Sequence, residues 1–309
     1  MYDTIVIGGG CTGYSAAMYA RRLKLKTLVL EGQRGGILAV AGAIENYPGY
    51  IRIDGLELVE IMRKHAEEYE AEIKPEFATK IAKIPKGFRI TTAQQTYETK
   101  TVIYATGSEW RKLNVTGERE FANKGVHYCA LCDGPFYKNK TVAVIGGSDS
   151  AAKDSLVLSE YAKKVYIIYR KEKIRPEPVN LKRVEEKIKQ GKITIVNTTN
   201  VTSINGDKKV TDVTLDKPYE GSTTLPLEGI FIAIGHIPLS DLAAQIGVKL
   251  NAAKEIIINR RAETNVEGFF SAGDVVDTDF KQAITGTAEA VLAAYHAYEY
   301  VSKQSVMAT

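Results

Sequence analysis

The chain has 309 residues, 44% of them apolar and 25% charged, with a formal net charge of +4. That length suits two ordinary domains with a core each, and the small, interspersed charge excludes nucleic acid as the leading partner. No apolar run approaches the roughly 18 residues of a membrane span, and three cysteines are too few for a disulfide scaffold, so a reducing cytoplasm is the expected setting.

Met1-Tyr2-Asp3 runs straight into a buried-strand pattern, Thr4–Ile7, which leaves no room for a targeting signal. Gly8-Gly9-Gly10-Cys11-Thr12-Gly13 follows, then a helix-like Tyr14–Arg22 and a strand ending in Glu31. This is G-x-G-x-x-G in a strand, turn, helix, strand, acid frame. Gly8 permits the turn, Gly10 lets backbone approach a pyrophosphate, and Gly13 lets helix and strand pack closely. Cys11 and Thr12 would contribute backbone amides at the helix N-terminus, where an anion is favoured, and the Cys11 thiol itself reads as a bystander. Glu31 stands where a ribose 2′-hydroxyl would be gripped, and its charge would repel a 2′-phosphate. This half therefore suits FAD or NAD rather than NADP.

Gly35-Gly36-Ile37-Leu38 and Glu45-Asn46-Tyr47-Pro48-Gly49 are loops able to wrap a cofactor. Asp54-Gly55-Leu56-Glu57 resembles a capping box, opening a helix to about Tyr69 with Leu58, Ile61, Met62 and His65 along one stripe. Short alternating segments Phe88–Thr92 and Tyr97–Glu98 precede a buried strand, Thr101–Tyr104. Its end, Ala105-Thr106-Gly107, is a turn that would bring backbone close to the first cofactor.

Next comes His127-Tyr128-Cys129-Ala130-Leu131-Cys132-Asp133-Gly134. Cys-x-x-Cys with an adjacent carboxylate suits dithiol–disulfide exchange: one thiolate attacks, the other resolves, and Asp133 manages the protons. Half of a zinc site reads the same way, with His127 as a third ligand, but it would need a fourth. No metal is expected.

A second nucleotide unit then begins. Strand Thr141–Ile145 leads into Gly146-Gly147-Ser148-Asp149-Ser150-Ala151, a helix to about Tyr161 and strand Lys164–Tyr169. Ser148 takes the place of the middle glycine. Where the first unit has an acid, this one has Tyr169-Arg170-Lys171, with Arg175 soon after, and cations there complement a 2′-phosphate. Two units of opposite charge preference predict two dinucleotides, an NADPH hydride donor and a flavin acceptor, since flavin can take a hydride and pass two electrons to a disulfide.

Strands Ile193–Asn197, Val210–Leu215 and Ile230–Ile234 complete this unit, and Gly235-His236-Ile237-Pro238 reads as a linker, with His236 a turn residue. Gly268-Phe269-Phe270-Ser271-Ala272-Gly273-Asp274 is a strand delivering a carboxylate suited to a ribityl hydroxyl. Lys281-Gln282-Ala283 opens a helix to about Val301, whose positive end would favour the negative edge of a reduced flavin.

Together GGGCTG, GG-I-L, ENYPG, ATG, CALCD, GGSDSA, YRKEKIR, SAGDV and KQA make the chain similar, over essentially its whole length, to the low-molecular-weight thioredoxin reductases. The resemblance implies an α/β fold of two Rossmann-like three-layer domains. A discontinuous FAD domain, 1–114 and 241–309, would hold an inserted NADPH domain, 115–240, carrying the redox-active pair. It implies a cytoplasmic homodimer that reduces thioredoxin, with Cys132 facing the flavin, Cys129 attacking the thioredoxin disulfide and Asp133 as acid–base group. FAD would lie against Gly8, Gly10, Cys11, Thr12, Gly13, Glu31, Gly36, Ile37, Leu38, Asn46, Thr106, Gly107, Gly273, Asp274, Lys281, Gln282 and Ala283. NADPH would lie against Gly146, Gly147, Ser148, Asp149, Ser150, Arg170, Lys171 and Arg175. Crossovers near Leu113–Gly117 and His236–Ser240 would act as hinges.

The chain departs from the usual pattern at Ile37 (commonly glutamine), Lys281 (arginine), Ser148 (glycine), Tyr169 (histidine) and Lys171 (arginine). Relatives lacking the basic pair take electrons from ferredoxin or a deazaflavin, and a dithiol oxidase would run the same flavin and cysteine pair in reverse.

Overall fold

The computed structural model describes residues 1–41, 43–44 and 46–307. The chain forms two units: Met1–Glu109 with Ile237–Thr309, and Trp110–His236. Glu45 of the ENYPG loop lies outside the described residues.

The first unit is built on strand Tyr2–Ile7, which pairs in parallel with Thr27–Leu30 on one side and Thr96–Tyr104 on the other. Glu72–Lys74 extends the sheet in parallel beyond Thr27–Leu30. The segments around Tyr97 and Tyr104, read above as separate, are one strand with two partners besides Tyr2–Ile7. Its first half pairs antiparallel with Gly87–Thr91, and its last three residues pair in parallel with Phe269–Ser271 from the far end of the chain. Side chains alternate across this sheet as period two requires. Val6 enters a core shared with helices Cys11–Arg22 and Ala283–Met307, while Ile5 and Ile7 face a second core with Leu28, Ile90 and Phe269. Both faces are covered, which is why the central strand is a continuous apolar run. Where the two helices meet, Ala16, Ala17 and Ala20 share a core with Ala290, Ala293, Ala294 and Ala297, and small side chains permit that close approach.

Helix Gly55–Glu68 is capped by Asp54, whose carboxylate accepts from Leu56 N at 2.9 Å. Its buried positions are Gly55, Leu58, Val59 and Ala66, while Ile61 and His65 face solvent. The apolar stripe expected above was thus rotated: Ile61 and His65 do not belong to it, and the helix packs through Leu58, Val59 and Ala66.

The second unit contains a sheet of parallel strands in the order Val126–His127, Gly229–Ile232, Thr141–Ile145, Lys164–Tyr169, Ile193–Asn197. An antiparallel sheet of Val201–Gly206, Val210–Tyr219 and Ser222–Pro226 accompanies it. Helices Asp149–Tyr161 and Pro178–Lys189 belong to this unit. The sequence reading missed Pro178–Lys189, although Pro at its first turn is a usual start signal. Among the described residues no helix is long and apolar enough to cross a membrane.

Candidate active site

Gly8 and Gly13 of the first loop have a steric reason. A Cβ on Gly8, at φ +130°, would lie 2.1 Å from Ala105 O, and one on Gly13 would lie 2.0 Å from Gly8 O. A Cβ on Gly10 would meet no atom within 4 Å. Gly10 is the N-cap residue of helix Cys11–Arg22 and, lacking a side chain, makes no capping hydrogen bond. An open, uncapped helix N-terminus fits a pyrophosphate.

The other residues read as flavin contacts gather around this loop. Gly35 N donates to Gly9 O at 2.6 Å, which seats the turn Gly36–Val40 with half-buried Ile37 and Leu38. Ala105 against Gly8 brings in Thr106 and Gly107, and Thr106 Oγ1 donates to Leu239 O at 2.8 Å. Thr12 fills the space that Cβ atoms on Gly273 or Gly286 would need, each 2.6 Å from its Oγ1. Gly273 N donates to Glu289 Oε2 at 2.8 Å, which fixes the turn before Asp274. Asn46 Nδ2 donates to Gln282 Oε1 at 3.0 Å, beside the start of helix Ala283–Met307. Burial, followed by the nearby Asp274 carboxylate, pushes the Cys11 thiol up to about 11. Such a thiol is a poor nucleophile at neutral pH.

Two residues have commitments that the sequence did not show. Lys281 Nζ donates to Asp274 O at 3.1 Å and pairs with Glu255 Oε1 at 3.0 Å, so its ammonium braces the Asp274 turn. Glu31, only 3% exposed, accepts from Tyr14 Oη at 2.8 Å, Arg63 Nε at 2.9 Å and Arg34 Nε at 3.3 Å. Burial alone would raise this carboxyl, but those three hydrogen bonds outweigh it and hold it below its ordinary value.

In the second unit Cys129 and Cys132 form a disulfide, with Cα atoms 5.3 Å apart. Cys129 caps the short helix Ala130–Asp133, and its Sγ accepts from Cys132 N at 3.2 Å. Both cysteines are half-buried, and Asp133 is buried behind them. Asp133 Oδ2 lies 3.2 Å from His127 Nδ1, and His127 Nε2 lies 2.7 Å from Tyr137 Oη. Among the described residues no cluster of three or more His, Cys, Asp or Glu side chains could hold a metal ion.

The second glycine loop repeats the first sterically. A Cβ on Gly146, at φ +147°, would lie 2.4 Å from Ala233 O, and one on Gly147 would strike the Tyr169 ring at 2.5 Å. The departure at Tyr169 thus covers Gly147. Ser148, exposed and extended, caps helix Asp149–Tyr161 without strain, and Ser150 is exposed beside it. Arg175 N donates to Gly147 O at 2.6 Å, drawing the basic loop onto the glycine loop. Arg170, Lys171 and Arg175 are exposed and line an open cleft of about 610 Å³ with Lys173 and Thr198. The carboxylate of Asp149 instead accepts from Lys153 Nζ, Asn180 Nδ2 and Glu177 N, which ties the glycine loop to helix Pro178–Lys189.

Residues 2–291 match the family model described as pyridine nucleotide-disulphide oxidoreductase. A thioredoxin reductase of Treponema pallidum is 40% identical, the match covering 97% of each chain. The crystal structure of the thioredoxin reductase from Streptococcus pyogenes superposes with a TM-score of 0.91 at 32% identity, covering 98% of this chain and 99% of that one. A ferredoxin-flavin thioredoxin reductase from Clostridium acetobutylicum is 30% identical with a TM-score of 0.53, covering 98% of each chain.

Proposed function

The chain belongs to the pyridine nucleotide-disulphide oxidoreductase family, on its thioredoxin reductase branch, and from that premise we propose that it reduces the disulfide of thioredoxin with electrons from NADPH. The observation that carries the reading is the Cys129–Cys132 disulfide with buried Asp133 beside it.

FAD would be held by the open Gly10 loop, Glu31, the Gly36–Leu38 turn, Asn46, Thr106-Gly107 and the Asp274 turn. NADPH would be held by Gly146, Ser148 and the cations Arg170, Lys171 and Arg175. When bound, the nicotinamide supplies a hydride and the flavin passes its electron pair to the disulfide. Once the pair is reduced, the Cys132 amide that points at Cys129 Sγ favours the thiolate there. That thiolate attacks the thioredoxin disulfide, Cys132 resolves the mixed disulfide, and Asp133 serves as acid–base group. Replacing Cys129 with Ser should abolish thioredoxin reduction yet leave NADPH-driven bleaching of the flavin. Undiminished turnover in that variant would refute the scheme.

The exposed Leu292, Tyr295 and Tyr298 of helix Ala283–Met307 offer an apolar face for a second copy, and a dimer mass by light scattering checks it. A dithiol product, with Cys11 the free cysteine among the described residues, suits a reducing cytoplasm. The likeness to a ferredoxin-flavin enzyme, together with Ser148, Tyr169 and Lys171, favours one second reading, in which ferredoxin replaces NADPH. Anaerobic titration with NADPH, NADH and reduced ferredoxin in turn separates the two through the flavin absorbance.

A further inference from the structure

We propose that His127, oriented by Tyr137, is the residue that positions the Asp133 carboxylate during thiol–disulfide exchange; the inference rests on the reading of Asp133 as acid–base group. His127 ends the edge strand Val126–His127, two residues before Cys129. Its ring is 8% exposed, stacked on Phe231 with centroids 5.2 Å apart and met edge-on by Tyr137 at 5.3 Å. That enclosure fixes the plane of the ring. Nε2 then faces Tyr137 Oη at 2.7 Å, and Nδ1 faces Asp133 Oδ2 at 3.2 Å.

The Nδ1 contact is close enough for an ion pair but lacks hydrogen-bond alignment. Among the described residues, His127 Nδ1 and Thr4 Oγ1 are the buried side-chain polar atoms left without a hydrogen bond. Buried polar atoms are rarely left so, and this one is aimed at the candidate acid. The tautomer follows from Tyr137. Burial, then the carboxylates of Asp133 and Glu228, raise its phenol, which therefore keeps its proton at neutral pH. That proton is donated to Nε2, so a neutral ring carries its own proton at Nδ1, facing Asp133. A small rotation of the carboxylate closes the bond, and it closes best when Asp133 is ionised.

Cys129, having shed its proton to solvent, attacks the substrate disulfide and expels one substrate thiolate, which takes the proton of Asp133. Cys132 passes its thiol proton to the Asp133 carboxylate as it attacks the Cys129 sulfur. The Cys129–Cys132 disulfide re-forms, and the second substrate thiolate takes a proton from solvent. His127 Nδ1–H stabilises the carboxylate that exists between those events. The titratable and charged groups on the elements around Asp133 are His127 from the edge strand, Tyr137 from the following turn with Lys140 over its ring and Glu228 beyond it, and Asp154 from helix Asp149–Tyr161, which packs against the Ala130–Asp133 helix; burial pushes the Asp154 carboxyl up to about 7.

The test is the pH dependence of kcat for thioredoxin reduction by the FAD-loaded protein. His127→Phe keeps the stacked ring and removes both nitrogens. It should lower kcat about tenfold and move the limb governed by Asp133 up by about one pH unit, a tenfold change in its proton equilibrium. Tyr137→Phe keeps the ring that Gly229 packs against and should move the limb the same way by a smaller amount. In an Asp133→Asn background, His127→Phe should add no further loss. An unmoved limb in folded, flavin-loaded His127→Phe, or full additivity with Asp133→Asn, overturns the proposal. Should His127→Phe not fold, an unmoved limb in Tyr137→Phe does so instead. An Asp133→Asn variant with normal turnover would topple the acid–base reading itself, a distinguishable result.

Discussion

In the first unit the strand after the glycine loop ends in Glu31, buried and bonded to Tyr14, Arg34 and Arg63. In the second it ends in Tyr169-Arg170-Lys171, whose cations are exposed along an open cleft. The two glycine loops demand the same backbone, yet one charge belongs to a core and the other to a surface. A recognition group inside a core supports the fold as well as the ligand. A recognition group on a surface loop can be exchanged without disturbing its unit, and that freedom suits a site whose nucleotide comes and goes.

The sharpest way to break this comparison is at the shared backbone. Gly8→Ala and Gly146→Ala each place a Cβ within 2.1 Å or 2.4 Å of a carbonyl oxygen, at φ +130° and +147°. Each should cost about 3 kcal/mol or more. Gly8→Ala should purify without flavin, whereas Gly146→Ala should keep its flavin and lose reduction by NADPH. Absorbance spectra and thermal melts check both, and a yellow Gly8→Ala protein would show that the loop does not bind the cofactor.

Next in size is Arg170→Ala. A charge-assisted hydrogen bond contributes about 1.5–3 kcal/mol, so KM for NADPH should rise roughly 10- to 150-fold, with the exposed setting drawing it toward the lower end. NADH should be used as before, and the melting temperature should not move. Steady-state kinetics with both donors decide it; equal losses with each would remove the 2′-phosphate reading.

The smallest effect concerns acid stability. The Glu31 carboxyl is held below its unfolded value. Its stabilising contribution is therefore complete above the unfolded pKa of about 4.3 and fades as pH falls through the folded value. Glu31→Gln should lose about 1–2 kcal/mol at neutral pH and fall less steeply than the wild type below about pH 4. Parallel urea melts across that range test the sign. A steeper acid decline in the variant would mean that Glu31 does not hold its charge in the fold.

The features legible in the sequence are those set by local backbone demands. Gly13, packed against Gly8 O, and the Cys129–Cys132 ring depend on neighbours a few residues away. What escaped notice depends on distant partners. Arg63 reaches Glu31 from a helix 32 residues on, and nothing in its own segment points there. His127 read as a third ligand of half a zinc site, and Tyr137 drew no reading, because their pairing forms only when the turn folds. Asp149 and Lys281 sit in the motifs read as cofactor-binding, yet the first accepts from Asn180 and the second pairs with Glu255. Ile61 and His65 show the limit of periodicity, because a helix rotated by one residue presents nearly the same pattern.

The strand Thr96–Tyr104 takes its last partner, Phe269–Ser271, from beyond the whole of the second unit. A ribosome adding about 5–20 residues per second finishes the contiguous Trp110–His236 segment well before that strand has been made. The unit bearing the sulfur pair can thus be mature while the other still exposes the edge of an incomplete sheet. During synthesis the hazard of edge-to-edge association falls on the N-terminal half, and early flavin capture would reward only chains that have reached their C-terminal helix.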